Sequence, residues 1–265
     1  EKAMIDKVCS VFPNVIVVFN ISNIMDMSWI NDYDSVKAAL IMWLPGEAAT
    51  DSVARVISGE VNPSGKLADT VSYDIEDHPA SQNFGNYMYK GVLGIPKYFV
   101  NYSEGIYVGY KYYETRYEDV LLGRENVGAY DYNDTVLYPF GYGLSYTTFA
   151  YSDLEADSRH VSFTLTNTGT RDGADVAQVY VTCRTGKVYR PRKELKGFQK
   201  VFLKAGESKD VTIELDDKAF RYFDVHTGNF EVEAGTYEIS VAASSCDVKL
   251  TAAVEVSGTA GPVQQ

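Results

Sequence analysis

Two hydrophobic rhythms in one chain limit its fold more than any other feature. In the first part, VIVVF at 15–19 and VKAALIMWL at 36–44 are nearly continuous apolar runs, the pattern of buried strands. Helical patterns flank them. EKAMIDKVCSVF sets Met4, Ile5, Val8, Cys9 and Phe12 on one face before Pro13-Asn14 interrupts, and EAATDSVARVISG predicts a helix that Gly59 stops. Strands alternating with helices predict a parallel sheet. A complete doubly wound domain does not begin with a helix feeding about two strands, so only part of an α/β domain is expected.

From Phe149 onward the rhythm changes. HVSFTLTNTG, DVAQVYVTC, KELKGFQKVFL, SKDVTIEL and GTYEISVAA alternate apolar with polar residues and are separated by Gly, Asp and Asn turns. That predicts an antiparallel β-sandwich of immunoglobulin or fibronectin type III kind. The expected fold class is α/β followed by all-β, with an α/β domain over 1–148, a β-sandwich over 149–257 and a tail or linker at 258–265. Between Leu67 and about Tyr142 the chain is rich in Tyr, Gly, Asn and Asp without sustained period, which predicts long loops with a function.

Composition narrows the partners. A formal net charge of -12 and a pI near 4.7 oppose binding to phosphate backbones and anionic lipids, so neither nucleic acid nor membrane is expected as a partner. Twenty-one tyrosines suit both β-rich cores and sugar-contacting clefts. Three cysteines, Cys9, Cys183 and Cys246, are too few for a disulfide framework or a structural zinc site. Cys183 and Cys246 would pair if they lay on neighbouring strands, and the odd count leaves the redox compartment open. No apolar run is long enough to span a bilayer and no cleavable-signal pattern opens the sequence, so a soluble chain, cytoplasmic or secreted, is expected. Nothing in the sequence decides for or against a homo-oligomer. His78, His160 and His226 are isolated, with no metal or triad spacing.

Six segments together carry a resemblance. WLPGEAATDSVARVISGEVNPSGKL, from Trp43 to Leu67, resembles the second half of the α/β sandwich domain of family 3 glycoside hydrolases, departing at Thr50 and Ala68, where the family has Gly and Pro. Upstream, VIVVFNISNIMDMSWI resembles the family's strand and loop ending in D-x-x-W, here Asp26 and Trp29. NYSEGIYVGYKYYE, from Asn101 to Glu114, resembles the segment whose glutamate is the catalytic acid/base of the β-glucosidase branch; carried over, that residue is Glu104. YPFGYGLSYTTF, from Tyr138 to Phe149, resembles the motif closing the sandwich domain. TNTGTRDGADVAQVYV and RPRKELKGFQKVFLKAGESKDVTIEL resemble the family's fibronectin type III-like domain.

The resemblance implies part of a retaining exo-β-glycosidase, first of all a β-glucosidase acting on terminal β-D-glucosyl residues of glycosides or oligosaccharides. A retaining glycosidase needs two carboxyl groups ~5–5.5 Å apart, one nucleophile and one acid/base. Glu104 supplies only the second, and the family's (β/α)₈ barrel, which bears the nucleophilic Asp, has no counterpart in the chain. That barrel is therefore expected as a partner from another chain or segment. A proton-donating carboxyl is kept protonated near neutral pH by burial beside aromatic rings or by its neighbour's charge, and Tyr102 and Tyr107 are the walls nearest in sequence. Gly105 would let the backbone turn sharply under the carboxylate.

Other residues have blander readings. Trp29 is a candidate substrate contact at the site entrance, while Asp26 is read first as a turn cap. Trp43 is read as packing rather than a sugar platform. Tyr87, Tyr89 and Tyr98 are candidates for the aglycone side. Arg190, Arg192, Lys193 and Lys196 are read as a solvated face or a domain contact. The mechanism needs no metal or organic cofactor. The alternatives are a β-xylosidase or arabinosidase of the same family, and a non-catalytic carbohydrate-binding or interaction module. The fibronectin-like domain is expected to brace the catalytic domains rather than bind substrate.

Overall fold

The computed structural model describes residues 2–47, 49–81, 84–85, 87–90, 96–102, 104–124 and 128–259. Its contacts divide the chain into two units that do not follow chain order. One holds Glu1–Val61, Val71–Ser103 and Asn133–Tyr138; the other holds Asn62–Thr70, Glu104–Tyr132 and Pro139–Gln265.

The first unit begins with helix α1, Lys2–Val11, and strand β1, Val15–Phe19. Strand β2, Val36–Ile41, pairs with β1 in parallel, with Phe19 opposite Ile41. Helix α2, Ala49–Ile57, follows and ends before Gly59. The expected parallel pairing and both helices are present. The connection from β1 to β2 carries a short 3-10 turn, Ser28–Asp32, instead of a full helix. Phe19, Met27 and Ile30 are buried, but Ile16 and Val18 on β1 stay exposed, so one face of this parallel pair is bare. Parallel sheets are ordinarily covered on both faces, which marks the surface as uncompleted within the unit. Strand β3, Val71–Ser72, pairs with β6, Val136–Tyr138. Between them in sequence lie β4, Tyr87–Lys90, and β5, Pro96–Phe99, paired antiparallel.

In the second unit the sandwich is built from a four-stranded and a three-stranded sheet. Strands β7, Phe149–Ala156, β8, His160–Asn167, and β11, Ser208–Glu214, form the order β11-β8-β7. The other sheet has the order β10-β9-β14-β15, from β9, Gly173–Cys183, β10, Glu194–Leu203, β14, Gly235–Ala242, and β15, Val248–Val256. Alternation places Val161, Phe163 and Leu165 of β8 against Val179 of β9 and Ile239 and Val241 of β14 in one apolar core. A side hairpin, β12, Arg221–Asp224, with β13, Asn229–Val232, completes the strands named here.

Strand β9 breaks the alternation: nearly every residue on it is buried. Its outward side chains are covered by helix α3, Tyr110–Leu121, and by the Phe140-Gly141 turn. Tyr180 meets the Tyr110 ring edge-on at 6.0 Å, and Tyr110 stacks on Phe140 at 4.5 Å. Gln178 Nε2 donates to the carbonyls of Gly141 and Ala243 at 3.2 and 2.8 Å. At Gly141 φ is +79°, and a Cβ would stand 2.1 Å from Gln178 Oε1, so this approach requires glycine.

Two expectations need correction. The stretch from Leu67 to Tyr142 is not merely loops, since it holds the β4–β5 pair and α3. Cys183 and Cys246 are not paired, and Cys9 is free as well. Cys183 lies opposite Tyr237, at the start of β14, while Cys246 follows the end of that eight-residue strand. The five residue steps from Tyr237 to Ala242 alone span roughly 17 Å of strand, beyond the ~7 Å Cα limit for a disulfide. Of the expected tail, Gly258 and Thr259 are described, with Thr259 N–H donating to the Val232 carbonyl at 2.9 Å; 260–265 lie outside the described residues. Among the described residues no helix is long and apolar enough to cross a membrane.

Candidate functional site

Glu104 opens a tight turn. Its carbonyl accepts the Tyr107 N–H at 3.0 Å, and Gly105, the first central residue, has φ +57°, a conformation that glycine adopts without strain. The Glu104 side chain is half-buried, and its Oε2 is buried with no hydrogen-bond partner among the described residues. A carboxyl oxygen in that state has no internal donor to compete with an incoming polar group. Ser103, just before it, lies outside the described residues.

Tyr107 turns its ring to Tyr189, in the β9–β10 loop, at 5.8 Å between centroids and 35° between planes. Tyr189 Oη donates to Asp119 Oδ2 at 2.5 Å. Asp119, on α3, is buried, and Arg124 pairs with its other oxygen at 3.3 Å while lying 5.1 Å over the Tyr189 ring. Burial raises the Tyr107 hydroxyl above its ordinary range, as does the Asp119 charge. Tyr189 is pushed up to about 12 by burial and by its bond to Asp119. Neither Tyr189 nor Asp119 was singled out from sequence, because an isolated Tyr in a loop and an Asp among acidic residues carry no local signal.

Helix α3, which follows the Glu104 turn, is fastened to the sandwich by charge. Arg192 pairs with Glu118, and Lys111 Nζ lies 2.9 Å from Glu194. Glu114, on the helix, is buried; it accepts from Ser245 Oγ and Tyr132 Oη at 2.8 Å and lies 3.4 Å from Lys193 Nζ. The basic cluster is therefore not a solvated face: Arg192 and Lys193 make the contact between the sandwich and α3. Arg190 pairs with Glu233 at 3.3 Å, and Lys196 with Glu194 at the same distance.

In the first unit, Tyr102 is 77% exposed. Trp29 is half-buried between Phe19 and Tyr33, edge-on to each at 5.8 and 6.4 Å. Asp26 caps a turn as expected, accepting from the Ser28 N–H at 2.9 Å and its hydroxyl at 2.7 Å. Trp43 is half-buried with φ +52°, which is strained for an aromatic residue. On β4 and β5, Tyr87 stacks on Phe99 at 5.5 Å, and Tyr87, Tyr89 and Tyr98 are all exposed.

The chain thus combines an α/β unit with a fibronectin-type sandwich, and a glutamate turn leads into a helix fixed on that sandwich. Residues 1–110 match the glycosyl hydrolase family 3 C-terminal domain, and residues 175–245 match the fibronectin type III-like domain. The chain belongs to glycosyl hydrolase family 3 and corresponds to the C-terminal part of its members. It is 39% identical over 262 residues to an exo-alpha-(1->6)-L-arabinopyranosidase of Bifidobacterium longum, matching 97% of this chain and 31% of that protein. It is 38% identical over 267 residues to thermostable beta-glucosidase B of Acetivibrio thermocellus, covering 98% and 32%. The solved structure of a Bifidobacterium adolescentis family 3 beta-glucosidase superposes with a TM-score of 0.82 at 36% identity, covering 99% of this chain and 36% of that one. The chain thus spans about a third of the length of these relatives.

Proposed function

We propose that this chain is the acid/base-bearing part of a retaining exo-β-glycosidase, foremost a β-glucosidase, with Glu104 as the acid/base. The observation that carries the reading is the match over nearly the whole chain to family 3 glycosidases, with the Glu104 motif intact within it. Glu104 donates its proton to the glycosidic oxygen as the bond to the anomeric carbon breaks, then takes a proton from the water that releases the sugar. The Glu104 Oε2, buried and without a hydrogen-bond partner among the described residues, supports this role, because no described donor is already committed to it. The nucleophilic carboxylate comes from the family's barrel, and the bare face of β1 supports a complement to the first unit.

The arabinopyranosidase relative is as similar to the chain as the β-glucosidases are, which favours a terminal pentosyl residue as the second reading. The acid/base step is the same in both, since it acts on the leaving oxygen.

Two measurements test the proposal. Native mass of the purified protein tells whether a barrel-sized polypeptide accompanies the chain. In the barrel-containing protein, Glu104→Ala is expected to lower turnover of alkyl glycosides by about 10²–10⁴ and to spare activated aryl glycosides, whose leaving groups need little protonation. Unchanged turnover of both substrate types removes Glu104 from the mechanism.

A further inference from the structure

We infer that Tyr189, contributed by the fibronectin-like domain, is a positioning residue for the Glu104 turn; the inference rests on the acid/base reading of Glu104. Three observations carry it. The turn is closed at its far end by Tyr107, whose N–H binds the Glu104 carbonyl, so fixing Tyr107 fixes the backbone from which the carboxyl projects. The Tyr107 ring rests on Tyr189. Tyr189 is itself held from two sides, by its bond to buried Asp119 and by the Arg124 guanidinium over its ring.

Glycine at 105 makes this support consequential. A turn with glycine at its first central position has wide backbone freedom of its own, and Glu104 Oε2 has no hydrogen bond among the described residues to hold it. Orientation of the carboxyl therefore depends on the ring contact at Tyr107. Asp119 in turn links that contact to α3, which the Glu118–Arg192 and Glu114–Lys193 pairs fix on the sandwich. The fibronectin-like domain acts on catalysis through this chain of contacts, without touching substrate.

The test begins with hydrogen–deuterium exchange on the full 265-residue chain. Tyr189→Ala is expected to speed exchange across 104–109 while leaving the β8 and β14 amides protected. Tyr189→Phe keeps the ring, loses the Asp119 bond, and is expected to give a smaller change at the same amides; it carries the test if the alanine variant melts. In the barrel-containing protein, Tyr189→Ala is expected to lower kcat for alkyl glycosides tenfold to a hundredfold, roughly the penalty of a misplaced catalytic group, with activated aryl glycosides nearly unaffected. Equal losses on both substrate types, or wild-type exchange at 104–109 in both variants, overturn the positioning role. Glu104→Gln separates the two claims. If it leaves alkyl glycoside turnover unchanged while Tyr189→Ala still loosens 104–109, the acid/base reading has failed, although the contact exists.

Discussion

Lys66 Nζ lies 2.9 Å from Asp175 Oδ1, and the two side chains are only 15% and 8% exposed. The pair is completed by Tyr151 Oη, which donates to Asp175 Oδ2 at 2.8 Å, and by the Gly143 carbonyl, which accepts from Lys66 at 3.1 Å. The NPSGKL segment therefore serves the second unit as an anchor: its lysine is the cation opposite a buried carboxylate on β9.

Removing that cation strands Asp175. Lys66→Met is expected to destabilise the chain by about 3 kcal/mol in urea denaturation, because a buried charge left without its partner costs more than the pair contributes. The double variant with Asp175→Leu is expected to lose less than the sum of the single changes. A Lys66→Met loss within about 0.5 kcal/mol of zero shows that Tyr151 and solvent suffice for Asp175.

Tyrosines set an alkaline limit. Burial pushes Tyr110 and Tyr189 from 10.0 up to about 12, and it raises Tyr130, Tyr132, Tyr151 and Tyr180 further. A raised folded value keeps the hydroxyl neutral in the native state while the unfolded chain ionises. The stability from these groups is therefore complete below about pH 10, and it is lost as pH rises from 10 through 12. Urea midpoints measured across that range are expected to fall steeply, and a flat profile contradicts the burial of these hydroxyls.

The strands were legible where one face is buried. Val161, Phe163 and Leu165 alternate with Ser162 and Thr164 on β8, and the sandwich leaves that alternation intact. Helix α3 was not legible, for a physical reason: it buries Glu114, Thr115 and Asp119 beside Tyr113, so a reading that assigns polar residues to solvent finds no apolar face. What satisfies those groups comes from distant residues such as Arg192, Ser245 and Tyr189. Glu104 and Tyr107 stand out in the sequence through their motif, whereas Tyr189, whose ring meets Tyr107, was invisible because it lies far along the chain. The disulfide question turned on which end of β14 each cysteine occupies, which composition does not encode.

Glu194 gives an acid limit. Burial pushes its carboxyl up, but Lys196 and Lys111 outweigh that and hold it below the ordinary 4.5. A lowered folded value means that the contribution is present above about pH 4.5 and is lost as pH falls through the lower, folded value. Glu194→Gln is expected to lower stability at neutral pH and to flatten its decline below pH 4.5 relative to wild type. Parallel declines in the two proteins assign the acid sensitivity to other carboxylates.

Cys246 is expected to be a slow thiol although the residue is exposed. Its Sγ lies 2.6 Å from Tyr132 Oη and 3.4 Å from Glu114 Oε1. Burial of the sulfur and the Glu114 charge push its thiol up to about 12. Since the thiolate is the reacting form, only ~10⁻⁴ of it is available at pH 8. Iodoacetamide should therefore leave Cys246 almost unmodified in the native chain and label it readily in urea, with peptide mass spectrometry locating the adduct. Equal labelling in both conditions means that the sulfur is free of Glu114, and Glu114→Gln is expected to accelerate native labelling by removing the like charge beside the thiolate.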